Sequence, residues 1–237
     1  MLSNNIIFRR NRFTQNGLQL WLDAALPSTI TRDGLNKISQ WNDKSGQTRH
    51  CVQPTAAAQP TFQATGIAGL PAVNFDGVDD FLPFSDQTLP WISSSSFTVI
   101  YVASKPANAN TYVIGGTNSG TRNNFIAGYV SSNTFKFGFG NDDQNAIVPV
   151  GTVGTPEIYT LVYSNADNSR RVRRNGTDVA VGASSGGLTS MTGQVIGRYS
   201  ATFGAFKLGE LLIYNRALTV GEYISIERDL ISKWAIS

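Results

Sequence analysis

The chain of 237 residues holds a single cysteine, Cys51, and a single histidine, His50. One thiol closes no internal disulfide, so the core must hold the fold without covalent help. Glutamate and lysine are also scarce, at four and six copies, whereas 85 positions are Gly, Ser, Thr or Asn. Those four types favour turns and strand ends over long helices, which excludes a mostly helical protein. No apolar run approaches the roughly 20 residues a helix needs to cross a bilayer. A short apolar run, Met1 to Phe8, precedes Arg9, Arg10 and Arg12, the reverse of a secretory leader, so none is expected. Only 15% of residues are charged, and the net charge of +3 equals the three arginines of that acid-free first segment. Nucleic-acid binding is not expected from so mild a balance.

What is present is a strand grammar. The chain is 41% hydrophobic with 13 Phe, 8 Tyr and 4 Trp, enough for one domain burying roughly 70–75% of its unfolded surface. Segments 18–22, 38–41, 72–75, 97–103, 112–115, 124–129, 134–139, 157–163, 170–174, 178–181, 194–197 and 208–214 are rich in β-branched and aromatic residues. Each is bounded by Gly, Asn, Asp, Ser or Pro, and short strands at this spacing predict an all-β sandwich. In Phe135-Lys136-Phe137-Gly138-Phe139 the phenylalanines share one face, which is core, and Lys136 with the glycine forms the other. Asn175-Gly176 predicts a hairpin. The Ala/Thr/Gln/Pro-rich stretch from Val52 to Pro71 shows no period and is expected to be a long surface connection. A helix is predicted at the end. Thr219-Val220-Gly221-Glu222 has capping-box form, and Val220, Tyr223, Ile224, Leu230, Ile231 and Trp234 recur as its apolar stripe, beside a polar face of Glu227, Arg228 and Lys233.

Three motifs follow in order: Leu20-Trp21-Leu22-Asp23, then Trp41-x-Asp43-x-Ser45-Gly46, then Ala72-Val73-Asn74-Phe75-Asp76-Gly77-x-Asp79-Asp80. With Arg174-Asn175-Gly176-Thr177 and Gly209 to Thr219 they span about residues 16 to 235. In this order the chain resembles the concanavalin A-like lectin/glucanase superfamily on its laminin-G-like branch. The resemblance implies two antiparallel sheets in jelly-roll topology, here with one C-terminal helix and an extended N-terminal arm. Residues 1–15 are read as the arm and 16–237 as the sandwich. Lectins, glycan hydrolases and structural modules share that superfamily, so function must be argued from sites.

Hydrolysis of a glycosidic bond needs two carboxylates about 5–9.5 Å apart. The superfamily's glucanases place them as Glu-x-Asp-x-x-Glu, a spacing that Glu157, Glu210, Glu222 and Glu227 do not produce. No catalytic residue is assigned and an enzyme is not expected. Adjacent His50 and Cys51 face opposite ways on an extended chain, so both are read as structural. Gly115-Gly116-Thr117-Asn118-Ser119-Gly120 lacks the lysine of a phosphate loop. No cofactor is assigned. Calcium is weighed at Asp76, Asp79, Asp80, Asp142, Asp143 and Asn145, hard oxygen donors in turns, against their ordinary use in closing those turns; Asp76 is expected to hold its own turn. In Arg170-Arg171-x-Arg173-Arg174 alternation sends Arg171 and Arg173 to one face and Arg170 and Arg174 to the other, read as a charge-blunted edge strand.

Sugar binding requires an aromatic platform beside planar polar groups. The candidates are Trp91, Asn118, Arg122, Asn123, Asn124, Asp142, Asp143, Asn145 and Tyr199, with Tyr129 as a further platform. The expectation is a non-catalytic recognition or decoration module on a virus or phage particle. Arg9, Arg10 and Arg12 would dock to a capsid or other particle protein, the loops would take a surface glycan, and copies could associate. The alternatives are a glycan hydrolase and an architectural cement protein.

Overall fold

The computed structural model describes residues 13–105, 111–117, 120–131, 134–147 and 153–237, with backbone alone for 144–147. Arg9, Arg10, Arg12 and Asn118 therefore lie outside the described residues, as does the side chain of Asn145. Among the described residues the strands run β1 (Leu18–Asp23), β2 (Ile30–Arg32), β3 (Ile38–Trp41), β4 (Cys51–Val52), β5 (Thr61–Ile67), β6 (Leu70–Asp76), β7 (Leu82–Pro83), β8 (Phe97–Ser104), β9 (Thr111–Gly115), β10 (Phe125–Tyr129), β11 (Thr134–Phe139) and β12 (Asp143–Ile147). They continue as β13 (Glu157–Ser164), β14 (Ser169–Arg174), β15 (Thr177–Ala183), β16 (Val195–Ile196), β17 (Arg198–Tyr199), β18 (Thr202–Phe203) and β19 (Ala205–Tyr214), before helix α1 (Val220–Lys233).

Two antiparallel sheets form the sandwich. The larger is ordered β15-β14-β13-β8-β19-β6-β5, with β1 also paired to β19; the smaller is β12-β11-β10-β9-β16-β7. A short β2-β3-β4 sheet and a β17-β18 hairpin complete it. The all-β, two-sheet sandwich with one C-terminal helix agrees with the sequence reading.

Strand β8 shows why the large sheet is central. All eight of its residues are buried. Phe97, Val99, Tyr101 and Ala103 enter the core between the sheets, while Ile100 and Val102 enter a second core beneath α1. A strand covered on both faces reads as a continuous apolar run. Between the sheets, Phe97, Phe125, Phe137, Phe139 and Tyr163 pack edge-on or tilted, and Phe135 stacks on Tyr159 at 4.6 Å. The predicted inward face of β11 is therefore the floor of the core, and its Lys136 face points away.

The capping box of α1 is present: Glu222 N donates to Thr219 Oγ1 at 3.4 Å, and Thr219 N donates to Glu222 Oε2 at 2.9 Å. Its buried stripe differs from the expected one. Tyr223, Ile226, Glu227 and Leu230 face the sheet, whereas Val220 is 58% and Ile224 37% exposed. Glu227, expected on the polar face, is buried because Arg173 of β14 bonds it through Nε and Nη2 at 2.9 and 3.0 Å. Helical spacing ranked residues by hydropathy and had no view of this ion pair across the interface.

Two further readings are corrected. Residues 61–67 form β5, paired to β6, within the stretch expected to be a surface connection. Only Phe62 and Ile67 of that strand are buried, and the register shifts between Gln63 and Ile67, so alternation is too sparse to read. The arginine strand β14 is not an edge, since β13 and β15 flank it. Its charges are matched one by one: Arg170 to Asp142, Arg171 and Arg173 to Asp178, Arg173 to Glu227 and Arg174 to Glu157.

Candidate functional site

The outward face of the small sheet carries a trough. Cross-strand register aligns Tyr112 of β9 with Gly128 of β10, Gly128 with Lys136 of β11, and Lys136 with Asn145 of β12. The next row holds Ile126, Gly138 and Asp143. Two glycines thus occupy the middle strands; both are buried, and the side chains of Asp143 and Lys136 lie over Gly138. A Cβ on Gly138 would lie 2.2 Å from Asp143 Oδ1, so only glycine lets that carboxylate lie across the strand.

The walls differ in chemistry. On the β12 side Lys136 Nζ bonds Asp143 Oδ2 at 2.6 Å, with both side chains partly exposed. On the β9 side the β17-β18 hairpin folds over the sheet and sets Tyr199 against Tyr112, ring centroids 5.1 Å apart. Gly115 admits the hairpin, because a Cβ there would meet Arg198 O at 2.7 Å and Tyr199 Cβ at 2.8 Å. Burial raises the Tyr112 hydroxyl above its ordinary pKa, with Lys136 opposing and Tyr199 and Asp143 reinforcing the shift. Those four residues share one electrostatic environment. At the hairpin's far side Arg198 lies over Phe81 at 4.2 Å and Phe203 at 5.8 Å. An aromatic pair on one side and a hydrogen-bonding Lys–Asp pair on the other offer a sugar ring a stacking face and a paired donor and acceptor.

Of the residues singled out in the sequence, Asp143 and Tyr199 meet at this trough, with Asn145 on the same backbone row. Lys136 and Tyr112 complete it. Lys136 was legible as the outward residue of an alternating strand, but nothing in the sequence brought the hairpin across to it. The others lie elsewhere. Asp142 joins the sheets: Oδ1 accepts from Arg170 Nη2 at 2.9 Å, and Oδ2 from Ser184 Oγ, Ser185 N and Ser185 Oγ at 2.7–2.9 Å. Burial alone would raise its carboxyl, but the serine bonds and Arg170 hold it below the ordinary range. Asn124 is fully buried and accepts from Gln194 Nε2 at 2.9 Å, which leaves it no surface for a ligand. Arg122, at φ +61°, gives its carbonyl to Thr189 N and Oγ1, and neighbouring Asn123 is partly buried. Trp91 packs against the core with Arg49 over its ring at 5.1 Å. Tyr129 is buried between the sheets, its hydroxyl 2.5 Å from that of Tyr159.

The four glutamates have structural partners. Glu210 accepts from both Trp21 and Trp234 indoles and from Lys233, Glu227 pairs with Arg173, Glu157 with Arg174 and Tyr159, and Glu222 caps α1. The calcium candidates divide. Asp76, Asp79 and Asp80 bring carboxylate oxygens within 4.8 Å of one another, apart from Asp142 and Asp143. Asp76 Oδ1 accepts from Val78 N at 2.8 Å and holds its own turn, while Asp80 Oδ2 accepts from Asp76 N at 3.1 Å. Burial and the Asp76 charge push Asp80 up to about 6. Asp43 likewise closes the loop after β3, taking Trp21 N at 2.9 Å and Ser45 N at 2.8 Å, and His50 Nδ1 accepts from Asp43 N at 3.0 Å. Cys51 beside it is buried, which raises its thiol pKa.

No protein-family model and no curated protein matches the chain. Solved structures do. The binding domain of Paraclostridial Mosquitocidal Protein 1 superposes with a TM-score of 0.66 at 12% identity, over 92% of this chain and 53% of that one. Domain 4 of AbnA, a GH43 extracellular arabinanase from Geobacillus stearothermophilus in complex with arabinotriose, gives 0.62 at 13% identity over 89% and 97%. Trypanosoma rangeli sialidase gives 0.60 at 14% identity over 91% and 33%. The chain thus spans about half the length of the toxin domain and a third of the sialidase. Similarity at such low identity establishes the fold alone: a two-sheet antiparallel β-sandwich.

Proposed function

We propose that the chain is a non-catalytic binding module that takes a saccharide in the trough of the small sheet. The observation that carries this reading is the glycine floor at Gly128 and Gly138, walled by Tyr199 and Tyr112 on one side and by the Lys136–Asp143 pair on the other. Tyr199 supplies the stacking face, Lys136 donates and Asp143 accepts. The likeness to an arabinanase domain solved with arabinotriose supports a saccharide as the occupant. All four glutamates are engaged in caps and ion pairs, which favours capture over cleavage by a glutamate pair of the glucanase kind.

A glycan array read beside a reducing-sugar release assay tests this. Capture without release is expected, with Tyr199→Ala and Lys136→Ala each weakening it about tenfold, or roughly 1.4 kcal/mol. Sugar release that disappears on replacing an acid would instead establish the hydrolase. Particle display is the wider part of the proposal. The arginines at 9, 10 and 12 hold charge equal to the whole net charge and offer a docking handle for an acidic partner surface. Deleting residues 1–12 should abolish particle incorporation while the sandwich stays folded; unchanged incorporation would remove the docking role.

A further inference from the structure

A small cavity lies between the sheets, on the inner side of Gly128, whose outer side belongs to the trough. Where β8 ends, Lys105 Nζ is buried, sits 3.6 Å from the centre of the Tyr129 ring and has no hydrogen-bond partner. Lys105 is only 6% exposed. It borders a cavity of about 20 Å³ with Tyr101, Thr111, Tyr129, Glu157 and Tyr159. Tyr101, 1% exposed, lines the same cavity, and Tyr129 and Glu157 are its charged or ionisable neighbours. A buried ammonium without an acceptor thus lines a void that exceeds the roughly 10–15 Å³ a single water needs.

The nearest acid is already engaged. Glu157 is the acid that faces Lys105, but it already pairs with Arg174 and accepts from Tyr159 at 2.7 Å. Lys105 Nζ is therefore a buried ammonium with no hydrogen-bonded carboxylate of its own. An uncompensated buried charge is costly, and a counter-ion relieves it at once. Burial lowers the Lys105 pKa, with Glu157 opposing and Arg174 reinforcing, and an anion at the ammonium would restore it.

We propose that this cavity binds a small monovalent anion, a halide or the carboxylate of a very small acid, held by Lys105 Nζ and Tyr101 Oη. Tyr101 and Tyr159 belong to the large sheet and Thr111 and Tyr129 to the small one, so the anion acts as a clip between layers. The test uses the full chain. Crystals soaked in sodium bromide should show an anomalous peak in contact with both Lys105 Nζ and Tyr101 Oη. Thermal unfolding should rise saturably with bromide or formate but not with sulfate at equal ionic strength, because sulfate is too large and divalent. A response to bromide alone identifies a halide site, and one to both identifies a carboxylate-tolerant site. Tyr101→Phe should weaken the bromide effect roughly tenfold, and Lys105→Met should abolish it. If Lys105→Met fails to fold, the bromide map and Tyr101→Phe still decide. No bromide peak, or an equal rise in sulfate and in Lys105→Met, would overturn the proposal and leave a water-filled void.

Discussion

Glu210 has no solvent exposure, yet three donors converge on it: Trp21 Nε1 at 2.8 Å on Oε1, and Trp234 Nε1 at 2.9 Å with Lys233 Nζ at 2.6 Å on Oε2. Gly209 makes the arrangement possible, because a Cβ there would lie 2.8 Å from the Trp234 ring. Glu210→Gln keeps shape and volume but offers one acceptor in place of two. Whichever way the carboxamide turns, its NH2 faces at least one indole N–H; when it faces Trp234 it also faces Lys233, which then keeps only Asp23, 2.7 Å away. Charge-assisted bonds are worth about 1.5–3 kcal/mol and a buried donor without an acceptor costs about 1–3, so the substitution should cost about 3–5 kcal/mol. For a chain of this size that is a fall of about 6–20 °C in Tm, measured by circular dichroism. In a double-mutant cycle with Lys233→Met the two changes should couple by about 0.5–3 kcal/mol. A Glu210→Gln protein melting within about 2 °C of the parent, or strict additivity with Lys233→Met, would refute the assignment of this carboxylate as the lock between β1, β19 and α1.

Other outcomes follow from the same structure. Gly138→Ala should displace Asp143 from the strand it crosses and cut saccharide affinity about tenfold by calorimetry; retained affinity would show that the trough is not the site. Asp80 has a folded-state pKa of about 6 against an ordinary 3.8, so its contribution favours the fold fully below pH 3.8 and is lost as pH rises through about 6. Asp80→Asn should therefore gain on the parent in melting temperature across that window, and parallel curves would contradict the shift. Arg173→Met should leave Glu227 buried without its partner and lower stability by about 3–5 kcal/mol in urea unfolding, whereas a loss below about 1 kcal/mol would mean that Glu227 reaches solvent.

The sequence by itself determined the elements whose signal is local. Alternation in Phe135-Lys136-Phe137-Gly138-Phe139 assigned core and outer faces to β11, because side-chain direction on a strand has period two. The capping box at Thr219 and Glu222 and the Asn175-Gly176 turn were equally legible, since their partners lie within a few residues. Tertiary structure decided the rest. Strand β5 exists because β6 completes its backbone hydrogen bonds, and Glu227 turns inward because Arg173 meets it across 54 residues of chain. The trough depends on the same kind of long-range placement. Asp143 and Tyr199 are legible as polar and aromatic surface residues, but the register of four strands and a hairpin laid over Gly115 brings them to one face. Contacts between residues distant in the chain are set by which surfaces pack together, and no local pattern carries that information.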